Sequence, residues 1–235
     1  MKIFRFKQFD IIHEHSAMKV GTDGVLLGAL TRVPGEGRIL DVGCGCGLLA
    51  LMLAQRSTSQ ITGIDIDQAG IGDAHKNAES CLWKERLCFL HISLRDFIKT
   101  DPLPFDLLIS NPPFFSRSLL SPDNRRNLAR HDRQMTHEDL ISGAAILLRD
   151  GGELSVILPA EAVLHFRHTC RQNGLDLKDQ WIIAPREGKA PHRSILTFVK
   201  GTASDLHSHE LCIRDHEGRY TAQYRKLTAA YHLNL

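Results

Sequence analysis

The sequence predicts an α/β fold: one doubly wound domain, with a mostly parallel seven-stranded sheet and helices on both faces. Three observations carry this. From about residue 38, short aliphatic runs alternate with stretches of helical pattern. The runs are apolar almost throughout rather than at every second residue, the pattern of strands buried on both faces. The first of them leads through a glycine-rich loop straight into LLALMLAQR (48–56), which has the apolar density of a buried helix.

In order, the strand candidates are RILDVG (38–43), ITGIDID (61–67), CFLHIS (88–93), FDLLISN (105–111), ELSVILP (153–159), WIIA and ILTFVK, seven in all. Between them, 68–79 reads as a helix. Another opens at Thr136, with Asp139 three residues on in capping-box spacing and Leu140, Ala144, Leu147 and Leu148 as its apolar stripe. Asp150-Gly151-Gly152 is its expected stop, and Asn173-Gly174 ends a further helix over 161–173. Residues 1–37 precede the alternating core (38–200), and 201–235 follow it without clear periodicity. Both are expected to be attachments to a single domain.

Composition excludes several classes. The 235 residues are 43% hydrophobic and 24% charged, which is globular rather than disordered. The longest uninterrupted apolar stretch, Leu48 to Ala54, is too short to cross a bilayer, and the N-terminal MKIFRFKQFD holds no secretory core. Six cysteines without a C-x-x-C pair suit reduced thiols in the cytoplasm. Cys44 and Cys46 have no companion cysteine or histidine pair at metal spacing, so no metal is expected and both read as small fillers of a crowded turn. The net charge of +2 neither demands nor excludes a nucleic-acid partner.

The sharpest local feature is Asp41-Val42-Gly43-Cys44-Gly45-Cys46-Gly47 between a strand and a helix. Glycines there permit positive φ and let a ligand approach main-chain N–H groups unobstructed by Cβ. The pattern is G-x-G-x-G. A dinucleotide fingerprint needs glycine where Leu48 stands, and no phosphate-binding lysine follows. Asp65, beside Ile66, ends the next strand, where a carboxylate can accept both hydroxyls of a ribose. Alone, such an aspartate reads as a helix cap; after this loop, it points to a nucleoside-containing cofactor.

The second site motif is Asn111-Pro112-Pro113-Phe114, just after FDLLIS. Ligands of open α/β sheets bind beyond the carboxyl ends of the strands, so it should face the glycine loop. Two prolines stiffen the chain and leave carbonyls unused. Asn111 adds a side-chain oxygen and Phe114 a flat ring. These suit a planar substrate bearing an –NH2 group: the Asn111 side chain and the Pro112 carbonyl accept its two hydrogens, and Phe114 stacks on its plane.

Together these motifs resemble the class I S-adenosylmethionine-dependent methyltransferases of Rossmann-like fold, in the branch with N-P-P-F/Y that methylates amino groups. The resemblance implies S-adenosylmethionine as cofactor, held by Gly43, Cys44, Gly45, Gly47, Asp41, Asp65 and Ile66, with Asn111 to Phe114 as the catalytic corner. The adenine-contacting acid expected after the third strand is replaced by His91-Ile92-Ser93-Leu94-Arg95-Asp96, which leaves Ser93 and Asp96 both open for that role.

Between this corner and the capped helix, residues 115–135 hold Arg117, Arg125, Arg126, Arg130 and Arg133 against Asp123 and Asp132. Arginines beside a pocket contact phosphates and stack on unpaired bases. Lys2, Arg5, Lys7 and Lys19, and then Arg186, Lys189, His192 and Arg193, are expected to flank the same mouth. The segment from Phe6 to Gly28, with Pro191-His192-Arg193, is similar to bacterial tRNA adenine-N6 methyltransferases. That resemblance implies a tRNA substrate methylated at the adenosine 3′ of the anticodon (position 37) of a valine tRNA, and a segment 20–28 that closes over the cofactor with Thr22 and Asp23 near it. No obligate protein partner is expected.

The rival readings are a release-factor glutamine-N5 methyltransferase, which typically carries a longer N-terminal helical domain, and an rRNA guanine-N2 methyltransferase, usually a longer duplicated chain. A dinucleotide-dependent oxidoreductase fits the alternation and Asp65 but neither motif. A noncatalytic RNA-binding relative would have lost the cofactor pocket.

Overall fold

A computed structural model of the chain describes residues 3–16, 19–113 and 135–233. Among these, the strands are β1 (Ile3–Arg5), β2 (Asp10–Ile12), β3 (Arg38–Val42), β4 (Gln60–Asp65), β5 (Leu87–His91), β6 (Phe105–Ser110), β7 (Leu148–Pro159), β8 (Leu175–Ala184), β9 (Arg193–Lys200) and β10 (His207–Cys212). The α-helices are α1 (Thr22–Leu30), α2 (Leu48–Ala54), α3 (Gln68–Glu79), α4 (Leu94–Lys99), α5 (His137–Leu147), α6 (Val163–Gln172) and α7 (Ala222–Thr228).

β1 and β2 form a separate antiparallel hairpin. The others make one sheet in the order β10-β8-β9-β7-β6-β3-β4-β5, in which only β9 runs against its neighbours. The carboxyl ends of β3, β4, β5 and β6 therefore share one edge, which receives the glycine loop, Asp65, Ser93 and Asn111. One core lies on the face of α1, α2 and α3, a second on the face of α4, α5 and α6.

The sheet has eight strands where the aliphatic runs predict seven. The eighth, β10, comes from the segment that lacks periodicity. It is an edge strand whose HSHELC is mostly exposed or half-exposed, so it needs no apolar run to form. The capping box at Thr136 is present as expected, with both reciprocal bonds made. Its helix ends at Leu147, earlier than predicted, because Leu148 pairs with Phe105 as the first residue of β7. Asp150-Gly151-Gly152 is an irregularity in that strand rather than a helix stop: the register slips between Phe105 and Leu107, and Gly151 has a φ of 74°. Asn173-Gly174 does end α6.

α1 approaches α2 closely through glycine. A Cβ on Gly24 would sit 2.9 Å from Leu48 Cδ2, and one on Gly28 2.7 Å from Met52 Sδ. On the sheet, Gly63 accommodates Phe89, whose ring would lie 2.6 Å from an added Cβ, with Cys44 Sγ at 2.9 Å. Gly63→Ala is expected to lower unfolding stability by about 1–3 kcal/mol through this overpacking, read as a reduced urea midpoint. An unchanged midpoint would mean that Phe89 has room to move aside.

Candidate active site

The alternation G-x-G-x-G has a conformational cause. Gly43, Gly45 and Gly47 adopt φ of 74°, 51° and 81°, in the region that L side chains avoid. Four of the five main-chain N–H groups of the loop are bonded within the protein. Gly43 and Cys44 donate to the Ile64 carbonyl, Gly45 donates to Asp65 Oδ2 at 2.7 Å, and Gly47 donates to the Cys44 carbonyl. The glycines thus shape the turn and bring it against the end of β4. Cys44 and Cys46 are buried in that turn as small fillers.

Asp41 lies beneath the loop, fully enclosed, and does not line the cavity beside it. Its Oδ2 accepts the Ala50 N–H at 3.2 Å, in the first turn of α2, while Oδ1 has no partner. Burial pushes its pKa up to about 8. An acid whose folded pKa exceeds its unfolded value of 3.8 contributes stability that is whole below about pH 4 and is lost as pH rises towards 8. Asp41→Asn is expected to remove that dependence, worth up to about 1.4 kcal/mol per pH unit. Urea unfolding between about pH 5 and 8 should slope downward in the native protein and be flatter in the variant; equal slopes would mean an ionised carboxyl in the fold.

A cavity of about 590 Å³ opens between the ends of β3, β4 and β5 and helices α4 and α5, within the usual range for ligand pockets. Of the residues predicted to hold the cofactor, it gathers Gly43, Asp65, Ile66, Ser93 and Asp96; Thr22, Asp23, Asp41, Cys44, Gly45 and Gly47 are not in its wall. Asp65 accepts one N–H on each oxygen, from Gly45 at 2.7 Å and Asp67 at 2.8 Å. Each oxygen keeps a further lone pair for a ligand hydroxyl. A Cβ on Gly43 would meet nothing within 4 Å, so the backbone there leaves space.

Ser93 and Asp96 are joined rather than alternative. The Ser93 hydroxyl accepts the Asp96 N–H as the N-cap of α4 and donates to Asp96 Oδ2 at 2.7 Å. Lys99 holds Asp96 Oδ1 at 2.7 Å and keeps that carboxyl below its ordinary pKa. Part of the wall escapes sequence reasoning, including Leu94 and Ile98 of α4 and Ser142, Gly143 and Ile146 of α5. The structure marks one of them, Ile146, as apolar yet 62% exposed at the rim of the cavity.

Asn111 follows β6. The register Asp41↔Ile109, carried forward two residues, places it level with Gly43. Ser110, fully buried, fastens this alignment by donating to the Val42 carbonyl at 2.7 Å. Asn111 Oδ1 is enclosed and accepts no hydrogen bond. Pro112 is buried and Pro113 exposed. Phe114, Arg117, Arg125, Arg126, Arg130 and Arg133 lie outside the described residues.

Thr22 begins α1, and Asp23 pairs with Arg193 at 2.8 Å. Two residues with separate expected roles thus form one strut between α1 and the start of β9. His192 is tied to Ile183 by its backbone N–H at 3.0 Å and its ring at 3.3 Å. The part of the N-terminal segment fastened to the glycine loop is residues 12–16, ahead of the expected 20–28. Asn77 brackets Ile12 and also reaches the Cys46 carbonyl, and Asp73 Oδ2 accepts the N–H groups of His15 and Ser16. Two basic residues expected at the mouth have their ammonium groups bonded to main-chain carbonyls. Lys19 donates to the carbonyls of His13, Glu14 and Ser16, and Lys7 to that of Ala229. Ala230, next to Ala229, is bonded to Gln55 past the far end of α2, so Lys7 lies towards the opposite edge of the sheet.

The methyltransferase small domain family matches residues 12–172. A tRNA1(Val) (adenine(37)-N6)-methyltransferase of Yersinia pseudotuberculosis (serotype O:3, strain YPIII) is 38% identical over 98% of this chain and 92% of its own. The protein of that name from Yersinia pestis (strain Pestoides F) is 38% identical over 98% and 94%. Among solved structures, a predicted O-methyltransferase of Agrobacterium tumefaciens superposes with a TM-score of 0.69 at 21% identity, covering 89% of this chain and 96% of that one. A 16S rRNA guanine-N2 methyltransferase of Thermus thermophilus, solved with S-adenosylmethionine and guanosine, gives 0.59 at 22% identity, covering 85% and 50%.

Proposed function

We infer that this chain, which belongs to the methyltransferase small domain family, methylates N6 of an adenine in tRNA, and that the acceptor is the one named for its Yersinia relatives, adenine 37 of a valine tRNA. Bound S-adenosylmethionine supplies a sulfonium methyl group as electrophile. The residues present suit that cofactor: Asp65 retains acceptors for two ribose hydroxyls, Ile66 and Leu94 offer apolar walls for a base, and the space at Gly43 admits the portion that reaches towards Asn111. Ser93 and Asp96, already bonded to each other, close the wall of that pocket.

One observation carries the acceptor chemistry: the enclosed, unpartnered Oδ1 of Asn111 beside Gly43. A buried acceptor without a donor is uncommon and calls for one. An exocyclic amine supplies it. Held by Asn111 Oδ1 and the Pro112 carbonyl, the amine nitrogen is fixed in position and favoured to pyramidalise, which frees a lone pair otherwise delocalised into the ring. No strong base is required, because the nitrogen becomes acidic as it is alkylated and solvent can take the proton. Phe114 stacks on the base, and Arg117, Arg125, Arg126, Arg130 and Arg133 contact the RNA. An unpaired loop adenine can be turned out at a cost of a few kcal/mol, which suits an enzyme acting in the cytoplasm with no partner protein. Among the described residues, no helix is long and apolar enough to cross a membrane.

The test is chemical. Incubation with labelled S-adenosylmethionine and, separately, bulk tRNA, rRNA and release factors, followed by digestion, should yield N6-methyladenosine from tRNA alone. Label recovered as methylglutamine or N2-methylguanosine would assign the acceptor to one of the rival classes.

A further inference from the structure

We propose that the segment after residue 200 is a substrate platform: Arg225 and Lys226 on α7, with Arg186 and Lys189 in the loop after β8, form a ridge that holds phosphates of the RNA at a distance from the methylated base. This rests on the RNA reading above and gives the C-terminal attachment a role within it.

Topology places the loops that carry the ridge on the correct edge, and α7 starts there, where the Thr221 hydroxyl donates to the Cys212 carbonyl at the end of β10, before running back from it. β8 and β10 run in the same direction as β3 to β7, so the loops that follow them emerge at the carboxyl edge, where Asn111 stands. Across the sheet β8 is three strands from β6 and β10 is four, roughly 14 and 19 Å at about 4.8 Å per strand. That distance is too great for contact with the reacting base and suits phosphates a few nucleotides along the chain.

The two loops are built as one body. Glu187 N–H donates to the Arg214 carbonyl at 2.9 Å, and Ile213 N–H to the Ala184 carbonyl at 3.0 Å. The Arg214 guanidinium lies 4.1 Å from the centre of the Tyr220 ring, which stacks on Tyr224 at 4.6 Å. Gly218, with φ of 83°, leaves the space that Arg186 occupies: an added Cβ would be 2.6 Å from its Nη2. A cleft of about 440 Å³ between the loops includes Glu187, Arg219, Tyr220 and Arg225 in its lining.

The charge on this body is also sorted. Glu187 pairs with His216, while Asp215 and Glu217 both pair with Arg219. Each acid has a contact, with Asp215 and Glu217 sharing one arginine, and over 186–189 and 214–226 six Lys/Arg stand against three acids. Arg186, Lys189, Arg225 and Lys226 are exposed and have no acidic partner among the described residues. This excess of three positive charges on one face attracts a polyanion through counterion release, without sequence preference.

The experiment compares the full chain with the variant Arg186→Ala/Lys189→Ala/Arg225→Ala/Lys226→Ala, measuring affinity for bulk tRNA across a salt series, KM for tRNA and affinity for S-adenosylhomocysteine. The slope of log affinity against log salt should fall by about 2 or more, and KM should rise about tenfold, with S-adenosylhomocysteine bound as in the native protein. Should that variant fold poorly, Arg225→Glu/Lys226→Glu on exposed α7 positions should raise KM further than Arg225→Ala/Lys226→Ala. An unchanged salt slope and KM in a variant that still binds S-adenosylhomocysteine overturns the ridge. A native chain that binds tRNA with the steeper slope yet methylates no adenine overturns the proposed reaction and leaves the ridge standing.

Discussion

Asn111→Ala is expected to lower kcat for methyl transfer by about 10²–10³-fold while S-adenosylmethionine binds as before and the protein becomes no less stable. The first figure is that for losing a preorganised polar contact to the reacting group. The last expectation follows from the resting structure. Asn111 Oδ1 is enclosed without a donor, and such an orphan costs about 1–3 kcal/mol. The fold tolerates that cost at Asn111, while its neighbour Ser110 donates to the Val42 carbonyl. Removing the amide relieves the orphan and deletes the acceptor for the amine together. A rise or no change in melting temperature with loss of turnover is the joint result that a merely structural turn does not give. Near-native kcat in Asn111→Ala would remove the catalytic corner from the mechanism. Loss of turnover together with loss of the fold would make Asn111 a structural residue.

The elements that the sequence reveals share one property: they are defined by neighbours close in the chain or by burial on both faces. β3, β4, β6 and β7 show as apolar runs because helices cover both sides of them. The Thr136 box shows because its two bonds span three residues. β10 stays hidden because an edge strand with polar faces satisfies its backbone without an apolar pattern. Asp150-Gly151-Gly152 misleads because a register slip and a helix end use the same residues. The site divides similarly. Asn111 and Asp65 follow from strand ends. Asp73 and Asn77 look like ordinary polar positions of α3, and their bonds to His15, Ser16 and Ile12 span 57 to 65 residues. The glycine loop is legible as a turn, but three of its donors go to Ile64 and Asp65, a fact that only the tertiary contact of β3 with β4 discloses.

The loss of Asp65 should be the most damaging to cofactor binding. Asp65→Ala is expected to weaken S-adenosylhomocysteine affinity about 100-fold by calorimetry. Two hydroxyl hydrogen bonds to a charged acceptor contribute about 1.5–3 kcal/mol each, and 100-fold requires only about 2.7 kcal/mol of that total. The same carboxylate also receives the Gly45 and Asp67 N–H groups, so its removal loosens the loop beside the proposed ribose position and leaves two donors unpaired. For that reason Asp65→Asn is not a mild substitution. Its NH2 group must face one of those two N–H donors, and a donor opposed to a donor displaces either the Gly45 turn or the start of α3. Asn at this position should therefore bind the cofactor scarcely better than Ala, whereas Asp65→Glu keeps the charge at the wrong reach and should recover part of the affinity only if the loop can follow. If Asp65→Ala binds S-adenosylhomocysteine within about threefold of the native chain, the ribose is held elsewhere in the cavity, and Asp65 serves only to join the glycine loop to the end of β4.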